Sequence, residues 1–210
     1  MHATTPIARS KSAALTRILD VIPRGYHSYT YGIVIASKAL SLAKKFHHLY
    51  GIGLTPAQRI TRKQKGRANA LLVMYWPEDT EEVGWMLLTT SGAGMEKETL
   101  RRFDEKPRLC FLGYELVRHA TNNKTSWTWR RPKQEIAELH TLIASQANTH
   151  TYAALTATLE RIARQPGFHG VFSQSRELFL AARRLGYAKE MPKLFYLRKI
   201  SHGEALQLTP

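Results

Sequence analysis

A run of basic residues after position 55 is the strongest chemical signal in the sequence. Positions 59, 62 and 63 share one face of a predicted helix, because residues three and four apart are neighbours, and their like charges repel. Bound phosphate groups would relieve this repulsion. A solvated helix face is the alternative, but such faces usually include Glu, and no acid lies between Asp20 and Glu78. The cations of the run are Arg59, Arg62, Lys63, Lys65 and Arg67.

Three lysines on the preceding segment extend the predicted basic surface. Lys38, Lys44 and Lys45 fall off the apolar stripe of a helix that we expect to begin near Ile33. Cations at a helix C-terminus also interact favourably with the helix dipole. This is the simpler explanation for the positions of Lys44 and Lys45. The short turn over residues 51–55 would nevertheless bring this helix end close to the basic run.

The tryptophans at 127 and 129 are a second candidate contact. Side chains alternate along a strand, so Trp127 and Trp129 share one strand face and should be buried together or exposed together. If exposed beside Arg130 and Arg131, they would form a platform on which the bases of a single strand stack. Packing of both rings beneath helices is the competing interpretation.

The segment from Tyr26 to Tyr31 contains the residue types of a metal-independent nuclease. His27 or a tyrosine would move the proton, and a nearby cation would stabilise the charged phosphorus centre. Tyr26, Tyr29 or Tyr31 is also a candidate nucleophile of a nicking enzyme. No HxH metal motif accompanies these residues. Non-catalytic binding therefore stays the main prediction, and nuclease activity is the alternative.

Several other site chemistries lack the residues that they need. Cys110 is the only cysteine, which excludes an intrachain disulfide, a zinc finger and a redox CxxC pair. The glycines near position 92 do not belong to a GxxxxGK[ST] phosphate loop. The acids at 78–82 crowd a turn, where we expect them to be solvated. The sequence therefore predicts neither a metal site nor a cofactor.

The positive charge of the chain is large and unevenly distributed. The 210 residues carry a formal net charge of +15, and residues 1–70 contain twelve basic residues and one acid. Concentrated charge repels itself, and an anionic partner relieves the cost. Nucleic acid is the predicted partner, and an acidic protein is the alternative. No stretch approaches the roughly 18–20 apolar residues of a membrane span, so we expect a cytoplasmic protein with no membrane partner.

The order of the predicted elements indicates an α+β fold. Two strand–turn–strand patterns, at 70–91 and 108–131, predict two hairpins that form one antiparallel sheet of four to five strands. N-terminal and C-terminal helices would pack on this sheet, and a short charged helix is expected at 95–105. We expect a single domain over 1–210. Its parts are a basic helical region at 10–70, a sheet region at 70–131, a helical region at 133–186 and a last strand at 193–200.

Three strings in the sequence resemble those of a group of basic proteins. They are TPAQRITRKQKGRANA at 55–70, LGYELVR at 112–118 followed by SWTWR at 126–130, and PGFHGV at 166–171. The group comprises uncharacterised basic proteins of bacterial plasmids and integrative mobile elements. The resemblance implies a role in plasmid maintenance, transfer, defence or counter-defence, and it assigns no activity or active site.

Together these features predict a non-catalytic protein that binds DNA or RNA mainly through the phosphate backbone. Phosphate contacts position a nucleic acid but read little of its sequence. Two alternatives remain at this point. One is a metal-independent nuclease or nicking enzyme that uses Tyr26–Tyr31, and the other is a basic interaction module for an acidic protein.

Overall fold

The computed structural model describes residues 3–121, 124–197, 200 and 204–209. The chain forms two compact units, unit 1 within residues 1–107 and 200–210 and unit 2 within residues 108–199. Both contain helices and strands, which confirms the predicted α+β class. Whether 1–210 folds as a single domain stays a prediction.

The described residues contain nine strands, six α-helices and one short 3-10 helix at Ile22–Arg24. The strands are β1 (Thr4–Ala8), β2 (Tyr26–Ile35), β3 (Ala70–Tyr75), β4 (Glu82–Thr90), β5 (Arg101–Arg102), β6 (Cys110–Phe111), β7 (Tyr114–Thr121), β8 (Lys124–Arg130) and β9 (Glu204–Gln207). The helices are α1 (Lys11–Val21), α2 (Ala36–Tyr50), α3 (Pro56–Gln64), α4 (Lys133–Asn148), α5 (Tyr152–Ala163) and α6 (His169–Arg184).

Unit 1 is built on a six-stranded sheet with the strand order β5–β2–β4–β3–β1–β9. Neighbouring strands are antiparallel except β1 and β3, which are parallel. The expectation of a purely antiparallel sheet is therefore wrong for this unit. The reason is β1, an N-terminal strand that the sequence analysis did not predict and that joins the sheet beside β3.

The β3–β4 hairpin at the centre of unit 1 confirms the first predicted hairpin. Leu72 and Met74 of β3 pack in one core with Ala43 of α2. The alternate residues Leu71 and Val73 are buried on the opposite face, where α1 packs against β3. Burial of β3 on both faces explains why its sequence is a continuous apolar run rather than an alternating one.

Local sequence sets the ends of the helices in unit 1. Ser10 caps α1, because its side chain accepts a hydrogen bond from the amide of Ala13 at 3.2 Å. Gly51 ends α2 with a left-handed φ of +67°. Thr55 and Gln58 form a capping box at the start of α3, each side chain accepting from the other residue's amide. These caps set the starts of α1 and α3.

Strand β2 takes the place of the helix start that was expected near Ile33. β-Branched and aromatic residues favour strands, and β2 pairs with β4 from Tyr26 to Ile35. Helix α2 begins only at Ala36, whose amide donates to the carbonyl of Glu81 at 2.7 Å. Ile33 is 69% exposed on the sheet rather than part of an apolar helix stripe.

The prediction of a short charged helix at 95–105 is wrong. A helix of this length is marginal in water without tertiary support. The segment instead forms β5, which pairs with Ser28 and Tyr29 of β2. Phe103 follows β5 and stacks on the Tyr29 ring with a centroid distance of 4.9 Å. Strand pairing and aromatic burial therefore outweigh local helix propensity here.

Unit 2 contains a separate three-stranded antiparallel sheet, β6–β7–β8, together with α4, α5 and α6. The β7–β8 pair confirms the second predicted hairpin. It does not join the sheet of the first hairpin, so the expectation of one shared sheet is wrong. The three helices, which lie within the helical region predicted at 133–186, pack around a core that includes Ile143, Leu159 and Leu178.

The last strand expected at 193–200 is not found over its described part. Residues 193–197 adopt no strand, and the amide of Leu197 donates to the carbonyl of Gly167 at 2.9 Å. Residues 198 and 199 lie outside the described residues. The C-terminal edge strand is instead β9, because β1 offers it an antiparallel partner.

A close backbone contact fixes the turn that follows α3. The amide of Ala68 donates to the carbonyl of Ala93, and the amide of Ala93 donates to the carbonyl of Gly66, both at 3.0 Å. Gly92 has a φ of +140°, and a Cβ there would lie 2.5 Å from the Ala68 amide nitrogen. Only glycine permits this approach. Gly92 therefore allows the turn after α3 to pack against the segment that follows β4.

Replacing Gly92 tests this contact. Gly92→Ala should lower the free energy of unfolding by about 2–4 kcal/mol, because the new Cβ meets backbone and strains φ. Gly66→Ala is the matched control, since Gly66 also has a positive φ but nothing lies within 4 Å of the added Cβ. We expect it to cost about 1–2 kcal/mol. Urea unfolding measures both values, and equal losses would contradict the importance of the contact.

Candidate nucleic-acid interface

Three cations at the end of α3 and in the turn after it are exposed. Lys63 lies in the last turn of α3, and Lys65 and Arg67 follow it. Helix α3 buries none of its residues and is held at its start by the capping box. The helix dipole favours cations at this end. The segment therefore presents three positive charges to solvent within five residues.

Arg59 and Arg62 are anchored to the backbone of unit 1. The Nε of Arg62 donates to the carbonyl of Ala68 at 2.6 Å, and Nη2 of Arg59 donates to the carbonyl of Ile52 at 3.2 Å. Both side chains are partly buried. Burial and the neighbouring charge of Arg67 lower the pKa of Arg62. These two residues therefore position α3 as well as adding charge to it.

A groove of about 460 Å³ lies between the end of α2 and the start of α3. His47 and Arg59 line it together with Thr55 and Gln58. The Nδ1 of His47 accepts a hydrogen bond from the amide of Gly53 at 3.2 Å, which fixes the orientation of the ring. The short turn thus brings the end of α2 to the basic helix, as the sequence suggests.

The three lysines of α2 are exposed but lie at different ends of the helix. Lys44 and Lys45 lie towards its C-terminus, whereas Lys38 lies in the first turn. A helix rises about 1.5 Å per residue, which puts Lys38 roughly 10 Å along the axis from Lys45. Ala36, at the start of α2, is hydrogen-bonded to Glu81 in the acidic turn. Lys44 and Lys45 therefore lie at the end of α2 that leads to α3, whereas Lys38 lies at the other end of α2.

Acidic and basic residues of unit 1 are separated along the β3–β4 hairpin. The acidic turn at 78–82 joins the two strands at one end, and the basic residues at 62–67 precede β3 at the other. A strand of six residues spans about 20 Å. The Debye length at physiological ionic strength is only about 8 Å. The acidic turn therefore does not neutralise the basic end.

None of the six exposed cations of α2, α3 and the turn after α3 has an ion-pair partner among the residues that the structure describes. The ion pairs found there use arginines at other positions, such as Arg9 with Glu204 and Arg102 with Asp104. An unpaired group of cations is what a phosphate backbone would neutralise. The exposed cations are Lys38, Lys44, Lys45, Lys63, Lys65 and Arg67.

The two tryptophans share a strand face but differ in burial, contrary to the expectation. Trp129 pairs with Leu116 and is 0% exposed. Trp127 pairs with Arg118 nearer the hairpin turn and is only partly buried. The Arg118 guanidinium lies 5.0 Å from the centre of the Trp127 ring. Trp129 is therefore removed from the interface, and Trp127 stays a candidate for base stacking.

Arg130 and Arg131 are both engaged within unit 2. Arg130 forms an ion pair with Glu115 on the neighbouring strand, at 2.6 Å. Arg131 is 1% exposed and donates to the carbonyl of Val171 at 3.2 Å and the hydroxyl of Ser175 at 3.0 Å. Burial lowers the pKa of Arg131. Arg131 is structural in this fold, because its guanidinium cannot reach a ligand without local unfolding.

The Tyr26–Tyr31 segment forms part of β2 and does not present its four candidates together. Tyr26 and Tyr29 are 5% and 1% exposed. His27 and Tyr31 are exposed. Burial raises the pKa of Tyr29, which opposes formation of the phenolate that a nucleophile requires. The nuclease alternative is therefore reduced to His27 and Tyr31.

Sequence reasoning missed Arg17 of α1, whose pKa is lowered to about 10 by burial and, to a lesser extent, by the charge of Arg59. Arg17 follows Ala13 by four residues and precedes Val21 by four, and both neighbours are buried. It therefore lies on a stripe that faces the protein. A cation on an apolar stripe is rarely buried without a reason, and this was the signal in the sequence.

No helix in the described part of the chain is long and apolar enough to cross a membrane. The same residues contain no group of three or more His, Cys, Asp or Glu side chains placed to hold a metal ion. No family model, curated protein or solved structure matches the chain. The function must therefore be inferred from the chemistry of the chain's own residues.

The difference between the two tryptophans predicts different costs of truncation. Trp129→Ala should lower the free energy of unfolding by about 3–5 kcal/mol, because it removes a fully buried ring. Trp127→Ala is the matched control on the same strand face, and we expect about 1 kcal/mol. Urea unfolding followed by circular dichroism measures both, and similar losses would contradict the observed difference in burial.

Proposed function

We propose that the protein binds nucleic acid, without catalysis, through exposed cations of α2, α3 and the turn after α3. Contacts to the phosphate backbone dominate, so binding depends little on sequence. DNA and RNA are both possible ligands under this proposal. We call these cations the basic face, which comprises Lys44, Lys45, Lys63, Lys65 and Arg67.

One observation supports the proposal most strongly. The cations of the basic face are exposed and have no carboxylate partner among the described residues, although ion pairs form elsewhere in the same unit. Self-repulsion within such a group disfavours the free protein, and phosphate groups reverse that effect. The acidic turn at the far end of β3–β4 would also orient an anionic ligand towards the basic end.

The biological setting is part of the same proposal. The resemblance to uncharacterised basic proteins of bacterial plasmids and integrative elements supports a role in the maintenance, transfer or defence of such elements. We place this role in the cytoplasm, where the nucleic acid of these elements is accessible. Recovery of the protein from its host at low salt, followed by sequencing of bound nucleic acid, identifies the natural ligand.

Affinity should fall steeply with salt. Each phosphate contact contributes a slope of about −0.9 to log K against log salt for duplex DNA. Five contacts would therefore reduce affinity by about 10²–10³ between roughly 50 and 200 mM salt. Fluorescence anisotropy with labelled random-sequence DNA and RNA measures the slope. A flat titration, or no binding at low salt, would contradict the proposal.

A triple substitution tests the location of the basic face. Changing Lys63, Lys65 and Arg67 together to Gln should weaken binding equally for all sequences and reduce the salt slope by about 2.7. The fold should persist, because all three side chains are exposed. The matched control changes three exposed cations of unit 2 to Gln, with the same loss of charge. These are Arg176, Arg184 and Lys189.

The control triple should keep nearly the full affinity. Equal loss in both triples would show that net charge, rather than the basic face, determines binding. Cleavage of a labelled strand in EDTA that is lost in Tyr31→Phe would instead favour the nuclease alternative. Tighter binding of polyglutamate than of an oligonucleotide of equal charge would favour an acidic protein partner.

A further inference from the structure

Three separate parts of unit 2 supply four rings that lie together at its surface, and we call these rings the ring cluster. They belong to His119 of β7, to His169 and Phe172 of α6, and to Tyr196 of the segment after α6. The ring centres of His119 and His169 are 3.9 Å apart. Those of Phe172 and Tyr196 are 4.0 Å apart, and their planes are inclined by only 11°. The His169 and Tyr196 centres, 6.5 Å apart, join the two pairs.

Two glycines in the segment PGFHGV at 166–171 allow these parts of the chain to meet. A Cβ at Gly167 would overlap the carbonyl oxygen of Phe195, so only glycine lets the segment that carries Tyr196 approach the start of α6. A Cβ at Gly170 would lie 2.6 Å from the carbonyl oxygen of Trp129, at the end of β8. The spacing of these glycines therefore permits the packing that assembles the ring cluster.

The ring cluster is open to solvent. Tyr196 is 56% exposed, and the neighbouring Phe195 is 65% exposed. His169 is also exposed, and His119 and Phe172 are partly buried. Exposed aromatic rings keep apolar surface in water, and contiguous patches of such surface mark binding sites. Stacking within the cluster also restricts the rings before a ligand arrives, which reduces the entropy that binding costs.

The charge of unit 2 indicates the kind of ligand that would cover these rings. Residues 108–199 contain fifteen Lys and Arg against six Asp and Glu, and the exposed Lys193 lies three residues before Tyr196. A ligand with flat apolar faces and negative charge complements both features. Unpaired nucleobases on a phosphate backbone have this combination, and they stack on Tyr, Phe and His side chains.

We propose that the ring cluster is a second nucleic-acid contact, on which unpaired bases of a single strand stack. The exposed rings of His169 and Tyr196 would receive the bases, and their contacts with His119 and Phe172 would support them. Every base has a flat face, so the contact does not read sequence. The inference rests on the proposed function and adds to it a preference for single strands, which phosphate contacts alone do not provide.

Replacing Tyr196 tests the ring cluster. Tyr196→Leu keeps an apolar side chain beside Phe172 but removes the flat ring. We expect its affinity for a single strand of oligothymidine to fall about 5- to 150-fold. Tyr196→Phe keeps the ring and should bind nearly as tightly as the wild type. Fluorescence anisotropy of the labelled strand at constant salt measures the three affinities.

Tyr31→Leu is the matched control, because Tyr31 is a 46% exposed tyrosine of unit 1 and lies outside the ring cluster. It should bind oligothymidine as the wild type does. Equal losses in Tyr31→Leu and Tyr196→Leu, or no loss in Tyr196→Leu, would overturn the proposal. His169→Gln removes the other exposed ring and should also weaken binding. It decides the question in the same way if circular dichroism shows that Tyr196→Leu does not fold.

An abasic strand of equal length separates base stacking from phosphate contact. This strand keeps the phosphates but offers no ring faces, so the wild type should bind it more weakly than oligothymidine. Tyr196→Leu should not weaken binding of the abasic strand further, because the ring that it lacks has nothing to stack on. Equal affinity of the wild type for the two strands would contradict the proposal.

The same probes distinguish failure of the ring cluster from failure of the basic face. If only the ring cluster fails, duplex and abasic strands still bind through the basic face, and Tyr196→Leu changes no affinity. If only the basic face fails, the triple substitution at residues 63, 65 and 67 has no effect, whereas Tyr196→Leu still weakens binding of the single strand. Absence of binding to every probe would overturn both proposals and favour a protein ligand for the exposed rings.

Discussion

Strand β4 is the element on which the arrangement of unit 1 depends, because it pairs with β2 along one edge and β3 along the other. Met86, Leu87 and Leu88 on this strand are 0% exposed. Consecutive buried residues point to opposite faces of a sheet, so both faces require a helical cover. Helices α1 and α2 provide it. Helix α3 is left at the end of the sheet, held by its cap and the glycine contact rather than by a core.

Arg131 and Arg17 show how the surroundings of an arginine decide what its burial does to the fold. Arg131 donates to acceptors on α5 and α6 and so ties the end of β8 to both helices. Arg17 is only partly buried, and its Nε has no hydrogen-bond acceptor among the described residues. Burial with acceptors stabilises a fold, whereas burial without them is unfavourable.

Elements whose signals are local could be predicted from the sequence. The β3–β4 and β7–β8 hairpins follow from apolar runs separated by polar turns, and the start of α3 follows from its capping residues. Strands whose partners are remote could not. Ile7 of β1 pairs with Met74, and Thr4 pairs with Gln207. No local pattern specifies such pairs, since they depend on which sheet edge remains available after the hairpin forms.

The sequence by itself determined the charge of the basic region and its concentration without acids between Asp20 and Glu78. These are properties of composition and spacing, which folding does not change. Only the tertiary structure decided which cations are available to a ligand. Burial of Arg131 and the ion pair of Arg130 with Glu115 keep both guanidinium groups from a ligand, whereas Lys63, Lys65 and Arg67 stay exposed. Availability depends on solvent exposure and on partners distant in the chain, and both exist only once the chain has folded.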